Sequence, residues 1–155
     1  MKILVACYSR TGTTKTVGEA IAKELKADSD EIIDLKKRTG LRPVRWLIAG
    51  GDAKRGKLTK IRTKKKPESY DTIIVGTPIW GGRMAPAVRT YLTIHDFSGK
   101  KVGFFSTAGG NAEKAFVEMK TLVPKSKLVE NLGVISQEVE SGAYKDKVKP
   151  FVKKF

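Results

Sequence analysis

Three short stretches of the chain are apolar almost throughout. They read ILVAC at 3–7, TIIVG at 72–76 and VGFFS at 102–106. Strands of this kind are buried on both faces, which is typical of parallel sheets covered by helices. The pattern therefore predicts three central strands. Two weaker stretches, 31–35 and 128–135, predict the second and fifth strands of the same sheet.

Apolar residues at helical spacing occupy the segments between these strands. In the first of them, Val17, Ile21 and Leu25 lie on one stripe. The predicted helices are 13–26, 44–53, 85–94, 112–122 and 144–154. Strands that alternate with helices predict an α/β fold with a parallel sheet, helices on both faces and right-handed crossovers. Composition does not shift along the chain, so we expect a single domain over 1–155.

The composition is that of a globular protein, with 40% hydrophobic and 30% charged residues. No apolar run is long enough to span a bilayer, so we expect no membrane insertion. The run at 3–7 is too short for a signal peptide. Cys7 is the single cysteine, which excludes an internal disulfide and suits a reducing compartment. We expect a cytoplasmic protein.

Positive charge is concentrated in one part of the chain. The net charge is +15, and the stretch from Lys36 to Lys66 holds thirteen Lys or Arg residues against one acid, Asp52. Such a field attracts acidic proteins, nucleic acid or anionic membranes. A solvated lysine-rich surface is the other interpretation, and both stay open. The absence of a nucleic-acid motif or interleaved aromatic residues argues against a nucleic-acid partner.

The segment after the first strand has the composition of a phosphate site. In a parallel sheet, ligands bind beyond the carboxyl ends of the strands. The candidate residues here are Ser9, Arg10, Thr11, Gly12, Thr13 and Thr14. Their hydroxyl and backbone N–H groups converge on the positive end of a helix dipole, and glycine lets the backbone approach an anion. The alternative is ordinary helix capping by Ser or Thr.

Three other motifs do not fit this position. A Walker loop needs a second glycine followed by Lys and Ser or Thr, and Lys15 instead follows Thr14. A small phosphatase would place Arg six positions after Cys7, where Thr13 stands. A receiver domain would have acidic residues after its first strand and an Asp at the position of Thr77.

The six residues after the first strand resemble the phosphate loop of the flavodoxin family. The family pattern is Thr/Ser-x-Thr-Gly-x-Thr, and 9–14 match it at every fixed position. The resemblance implies a flavodoxin-like three-layer sandwich with a five-stranded parallel sheet of order 2-1-3-4-5. It also implies flavin mononucleotide (FMN) as the cofactor. Flavodoxins are the standard example of ligand binding where strand order reverses, so this strand order is taken from the resemblance.

The segment after the central strand offers a flat aromatic ring beside two glycines. Its candidate residues are Thr77, Pro78, Ile79, Trp80, Gly81 and Gly82. A tryptophan face can stack on a planar ring, although a Trp in a tight turn is the plain alternative. The resemblance implies that Trp80 stacks on the flavin. It also implies that Gly81 and Gly82 lie near flavin N5, where a peptide carbonyl can reorient.

The third segment consists of small and polar residues. Its candidates are Ser106, Thr107, Ala108, Gly109, Gly110 and Asn111. They suit close backbone contact with a ring edge, as the resemblance implies, or a flexible turn with Asn111 as helix cap. Relatives often carry a second aromatic here, and none is visible. Tyr8 and Trp46 could reach the site, but we interpret Tyr8 as core-adjacent and Trp46 as a helix-packing residue.

Three functions remain open on this interpretation. The first is an FMN-binding electron carrier with a redox partner protein, possibly acidic, because the chain is basic where well-studied flavodoxins are acidic. The second is an FMN-dependent NAD(P)H oxidoreductase acting on quinones or other small acceptors, for which a homodimer or a tetramer is expected. The third is a basic binding module without flavin. We expect no catalytic acid or base and no metal site, and we expect positive charge at the flavin from Arg10, Lys15 and Arg83.

Overall fold

The computed structural model describes residues 1–37 and 41–155, which alternate between strands and helices. In chain order the elements are β1 (Ile3–Cys7), α1 (Thr13–Leu25), β2 (Asp28–Glu31), β3 (Ile33–Asp34), α2 (Arg42–Lys54), β4 (Ile61–Arg62), β5 (Thr72–Trp80), β6 (Arg83–Met84), α3 (Pro86–Ile94), β7 (Lys101–Ala108), α4 (Glu113–Leu122), β8 (Lys127–Ile135), α5 (Ser136–Ser141) and α6 (Tyr144–Val152). Residues 38–40, part of the basic stretch, lie outside the described residues.

Five parallel strands form the central sheet in the order β2-β1-β5-β7-β8. Numbered among themselves along the chain, these strands have the order 2-1-3-4-5, which confirms the fold expected from the resemblance. Strand β6 adds an antiparallel pair to β5, while β3 and β4 form a separate two-stranded pair. Strand β1 lies between β2 and β5. The strand order therefore reverses at β1, because the chain adds β2 on one side of it and β5 on the other.

Successive residues of the central strands face opposite layers of the molecule. On one face Val5, Ile74 and Phe105 pack with the buried side chains of α1 and α6. On the other face Leu4 and Ile73 pack with those of α2, α3 and α4. Because both faces are covered, each strand position meets apolar neighbours. This explains the continuous apolar runs and confirms the three-layer α/β architecture.

The second parallel strand begins earlier than its sequence pattern predicts. The pattern favours 31–35, whereas β2 covers Asp28–Glu31 and reads DSDE. It is an edge strand in which Asp30 is the buried residue, and the Asp30 carboxylate accepts the backbone N–H groups of Lys64 and Lys65 at 3.0 and 2.7 Å. A run of apolar residues indicates burial rather than strand structure itself. A strand of polar residues at the edge of the sheet is therefore not predicted from such a pattern.

Two further differences bear on the candidate site. Strand β5 continues through the segment expected as a loop and ends at Trp80. Gly81 and Gly82 then form a two-residue turn to β6, with φ values of +58° and +80°. Both residues need the left-handed region that favours glycine, as in a type I′ hairpin turn. The short helix α5 was not predicted.

In residues 1–37 and 41–155, none of the helices is both long and apolar enough to cross a membrane.

Candidate functional site

A cavity of about 390 Å³ opens at the carboxyl edge of the sheet. Its lining comes from all three loops that the sequence singles out. The lining residues are Arg10, Thr11, Thr13, Thr14, Trp46, Pro78, Ile79, Trp80, Thr107, Ala108, Gly109 and Ser136. Ten of these twelve are among the predicted site residues. The volume falls in the range of sites that hold a small ligand or cofactor.

The first loop leaves the start of α1 open to a ligand. Gly12 precedes the helix with φ +96°, a backbone conformation that residues other than glycine rarely adopt. Its N–H donates to the Ser9 hydroxyl oxygen at 3.1 Å, which closes the turn. Within the described residues no side chain caps the helix itself. The first-turn N–H groups therefore keep their capacity to bind an anion, which the helix dipole favours.

A buried hydroxyl pair joins the first loop to the third. The hydroxyl oxygens of Thr14 and Thr107 lie 2.7 Å apart, although 93 positions separate them in sequence. Thr14 and Thr107 are 1% and 4% exposed. A hydrogen bond in such a dry position fixes the distance between the two loops.

The indole of Trp80 forms an inner wall of the cavity. Trp80 is the last residue of β5 and is only 4% exposed. The ring of Tyr8 meets it edge-on, with centroids 5.6 Å apart and planes at 85°. This T-shaped contact and the β5–β6 hairpin hold the indole in one orientation.

The guanidinium of Arg10 lies close to two indole rings. Its central carbon is 5.0 Å from the centroid of Trp46 and 5.6 Å from that of Trp80. Its Nη1 is buried and has no hydrogen-bond partner in the described part of the chain. Cation–π attraction to both rings contributes to holding the guanidinium there. We call the space that Arg10 occupies beside Trp46 and Trp80 the slot.

Trp46 and Ser136 line the cavity, although the sequence did not predict them as site residues. Trp46 stands on α2 and is 53% exposed, so the interpretation as a helix-packing residue was wrong. The sequence carried no signal for this role, because the exposure of a side chain on a helix cannot be read from the sequence alone. Ser136 follows β8, whose carboxyl end reaches the same edge of the sheet.

The other predicted residues shape the loops or line a second cavity. Ser9 and Gly12 form the first turn, and Gly81 and Gly82 form the β5–β6 turn. The Thr77 hydroxyl accepts the N–H of Ala85 at 3.0 Å, beneath that turn.

The second cavity, of about 310 Å³, adjoins the first, since Ile135 lines one and Ser136 lines the other. Ser106, Gly110 and Asn111 belong to this second cavity. The Asn111 side-chain oxygen accepts the N–H of Glu113 at 2.7 Å, which forms a local turn just before α4, whose N-cap residue is Ala112. The Ser106 hydroxyl is buried and has no partner among the described residues.

Of the three cations expected at the site, Arg10 lines the cavity. Lys15 pairs with Glu31 at 3.4 Å and lines a different pocket. Arg83 and Arg89 both pair with Glu118 on α4. Among the described residues that line this cavity, the positive charge therefore comes from Arg10.

A groove between α1 and α6 is a separate feature. It has a volume of about 580 Å³ and contains none of the predicted site residues. Its walls mix charged side chains of both signs, such as Glu19, Lys23 and Asp146. Converging loops, aromatic walls and a helix N-terminus occur together in the 390 Å³ cavity and not in this groove.

A sequence profile of the flavodoxin family matches residues 50–154. The match covers more than half of the chain, so the protein belongs to the flavodoxin family. It includes the second and third loops, while the phosphate-loop motif at 9–14 precedes it. The family resemblance drawn from the sequence is therefore confirmed by a part of the chain that does not contain that motif.

Solved structures agree with the fold. A candidate flavoprotein from Bacteroides uniformis ATCC 8492 has 26% sequence identity and a TM-score of 0.74, with 92% of this chain and 97% of that chain covered. A flavoprotein from Lactobacillus acidophilus NCFM, solved in complex with FMN, has 23% identity and a TM-score of 0.74, with 92% and 98% covered. An NADH:FMN oxidoreductase, solved in its apo form, has 17% identity and a TM-score of 0.58, with 100% and 90% covered.

Proposed function

We propose that this chain binds FMN in the cavity at the carboxyl edge and transfers electrons as a carrier. The observation that carries the proposal is the slot between Trp46 and Trp80, directly beside the open start of α1. A ligand that carries both a planar ring and a phosphate needs the slot for its ring and the start of α1 for its phosphate. Membership of the flavodoxin family supports FMN as the ligand that combines them.

The first loop would hold the phosphate. Thr11, Thr13 and Thr14 line the cavity with hydroxyl groups, and the first-turn N–H groups of α1 are the natural donors. Gly12 allows the backbone to turn toward the anion. We assign anchoring of FMN to this loop.

The slot would hold the flavin ring. Trp80 supplies a fixed inner wall and Trp46 an outer wall, and Arg10 must leave the space between them when a ring enters. Bound FMN supplies the one- and two-electron chemistry. The protein's own contribution is to orient the ring, limit its contact with water and keep positive charge close by.

The neighbouring loops would contact the ring edges through their backbone. Thr107, Ala108 and Gly109 line the cavity, and their small side chains leave main-chain groups accessible. The peptide between Gly81 and Gly82 sits in a turn where both residues can change φ at low cost. We assign the N5 contact to this turn.

The surroundings of the slot favour an acidic redox partner. The stretch 36–66 carries thirteen basic residues and one acid. Charge of opposite sign speeds association and orients the partner. Cys7 is a buried free thiol, which suits the reducing cytoplasm we expect for this protein.

A second function, FMN-dependent reduction of small acceptors with NAD(P)H, is favoured by the adjoining 310 Å³ cavity. It lies beside the first cavity at the start of α4, and the unpartnered Ser106 hydroxyl lines it. Such a space has room for part of a second molecule. A homodimer would be expected with this function, and light scattering would detect it.

One assay separates the two functions. Purified protein loaded with FMN is mixed with NADH or NADPH and a soluble quinone, and the nicotinamide absorbance is followed. A carrier consumes no more NAD(P)H than free FMN at equal concentration, yet it accepts electrons from an added flavodoxin reductase. Sustained oxidation well above free FMN would make the protein an oxidoreductase. A chain that refuses FMN would contradict both functions and favour a basic binding module.

A further inference from the structure

The side chain of Arg10 covers an indole at the inner wall of the cavity. Trp80 lines the 390 Å³ cavity and is nevertheless only 4% exposed. The central carbon of the Arg10 guanidinium lies over the Trp80 ring, 5.6 Å from its centroid, and over the Trp46 ring at 5.0 Å. A planar ring stacked on the same face of Trp80 would need the volume that the guanidinium fills. The slot is therefore closed in this conformation, and Arg10 closes it.

Arg10 brings to the cavity a charge that no carboxylate there balances. None of the other described residues that line the cavity is charged. The Nη1 of Arg10 is buried and has no hydrogen-bond partner in the described part of the chain. A buried donor without an acceptor is costly, and the cation–π contacts supply no acceptor. An incoming group with negative charge would therefore draw the guanidinium out of its closed position.

Arg10 also belongs to the loop assigned to the phosphate. It follows Ser9, whose hydroxyl oxygen accepts the Gly12 N–H, and it precedes the start of α1. Because this turn holds the backbone of Arg10, a guanidinium that leaves the slot stays near the start of the helix. Arginine binds phosphate through two parallel charge-assisted hydrogen bonds, which are stronger than hydrogen bonds between neutral groups. One side chain thus serves both the ring slot and the phosphate loop.

We propose that Arg10 makes the slot selective for flavins that carry a phosphate. The inference rests on the proposed function, FMN binding in this cavity. Riboflavin must displace the guanidinium from two indoles and offers no anion in exchange. FMN offers its phosphate, which supplies the acceptor that Nη1 lacks. Arg10 therefore opposes binding of the unphosphorylated flavin and favours binding of FMN.

The first test compares the affinities for riboflavin and FMN. Flavin-free wild type and Arg10→Ala are titrated with each flavin, and the flavin fluorescence is followed. We expect Arg10→Ala to bind riboflavin about threefold to tenfold more tightly, because the slot is open, and FMN at least about threefold more weakly. The preference for FMN over riboflavin is therefore expected to fall by about tenfold or more.

Two further variants separate charge from occupancy of the slot. Lys15→Ala removes a positive charge from the same region, but Lys15 pairs with Glu31 and lines another pocket. It is expected to leave riboflavin affinity within about twofold of the wild type. Arg10→Lys keeps the charge and loses the planar guanidinium. We expect it to bind FMN within about threefold of the wild type and riboflavin more tightly.

A second measurement needs no flavin. Trp46 and Trp80 are the two tryptophans of the chain, so acrylamide quenching of tryptophan emission reports on the slot. We expect a larger quenching constant in Arg10→Ala than in the wild type, because Trp80 loses its cover, and no change in Lys15→Ala. An unchanged constant in Arg10→Ala would overturn the inference, because the guanidinium would then not cover the indole. Circular dichroism checks that each variant is folded.

The titrations separate this inference from the function on which it rests. Riboflavin affinity that stays unchanged or falls in Arg10→Ala would overturn the inference, because the guanidinium would then not obstruct the ring. FMN affinity that rises as much as riboflavin affinity would also overturn it, because Arg10 would then recognise no phosphate. In both cases FMN binding by the wild type would leave the proposed function standing. A wild type that binds neither flavin would contradict the proposed function and the inference together.

Discussion

The hydroxyl groups of Thr14 and Thr107 meet at 2.7 Å in a buried position, which joins the start of α1 to the end of β7. Through this contact the loop assigned to the phosphate and the loop assigned to the ring edge form one rigid edge. A ligand that spans both loops then meets a preformed site and loses less free energy in ordering them.

Replacing Thr14 with Val should weaken both stability and FMN binding. The change leaves the buried Thr107 hydroxyl without a partner, which costs about 1–2 kcal/mol of unfolding free energy. We expect FMN affinity to fall by about tenfold, measured by fluorescence titration. Thr93→Val is the control, because the Thr93 hydroxyl donates to the Arg89 carbonyl on the exposed side of α3. Equal losses in the two variants would contradict a special role for Thr14.

Replacing Trp46 with Ala should weaken FMN binding with little effect on folding. The indole is 53% exposed, so the expected change in unfolding free energy is within about 0.5 kcal/mol. Loss of the outer aromatic wall should lower FMN affinity by roughly threefold to tenfold. Leu47→Ala, at the next position of the helix, is the matched control and should leave affinity unchanged. Unchanged affinity in the Trp46 variant would place the ring elsewhere.

Two glycine substitutions should have opposite effects on stability. Gly81 has φ +58°, and an added Cβ would lie 2.9 Å from the Lys54 Cε. Gly81→Ala should therefore destabilise the protein by about 1–2 kcal/mol.

The opposite effect is expected at Gly50, which lies inside α2. A Cβ added there would meet no heavy atom of another side chain or element within 4 Å among the described residues. Gly50→Ala should stabilise the protein by about 0.5–1 kcal/mol. Chemical denaturation measures both variants. A destabilised Gly50→Ala would mean that α2 is not helical at this point.

The thiol of Cys7 should resist modification in the folded protein. Burial, followed by the nearby Glu31 carboxylate, raises the pKa of Cys7 from 9.0 to about 12. Because the folded pKa lies above the unfolded one, the stabilisation is complete below pH 9 and is lost as the pH rises through 12.

Stability of the wild type should accordingly fall more steeply above pH 9 than that of Cys7→Ala. Labelling by a thiol reagent at pH 9 should be slow until denaturant is added. Rapid labelling of the native protein would show that Cys7 is accessible.

The central fold could be predicted because both faces of its strands are buried. The run at 3–7 coincides with β1, and the apolar cores of β5 and β7 mark the middle of the sheet. The loop at 9–14 could also be located from the sequence, because its residues are contiguous, and the structure places four of them at the cavity. Phosphate binding by this loop stays a prediction. Strand β2 could not, since an edge strand with the sequence DSDE has no apolar pattern to reveal it.

The outer wall of the slot could not be predicted because it is a tertiary feature. Trp46 reaches the cavity through the packing of α2 against the β5–β6 hairpin. No local sequence pattern predicts how α2 packs there. The same holds for Val44, Leu47 and Ile48, which are exposed on α2. Their apolar spacing predicts a helix, but nothing local says which side of the helix is covered.

The central claim is that one FMN spans the first loop and the Trp46–Trp80 slot. It is tested most directly by titrating flavin-free protein with FMN and with riboflavin, while tryptophan emission and the visible spectrum are recorded. We expect one FMN to bind per chain with strong quenching of tryptophan emission, and riboflavin to bind at least about tenfold more weakly because it lacks the phosphate. Absence of quenching, or equal affinity for the two flavins, would contradict the claim.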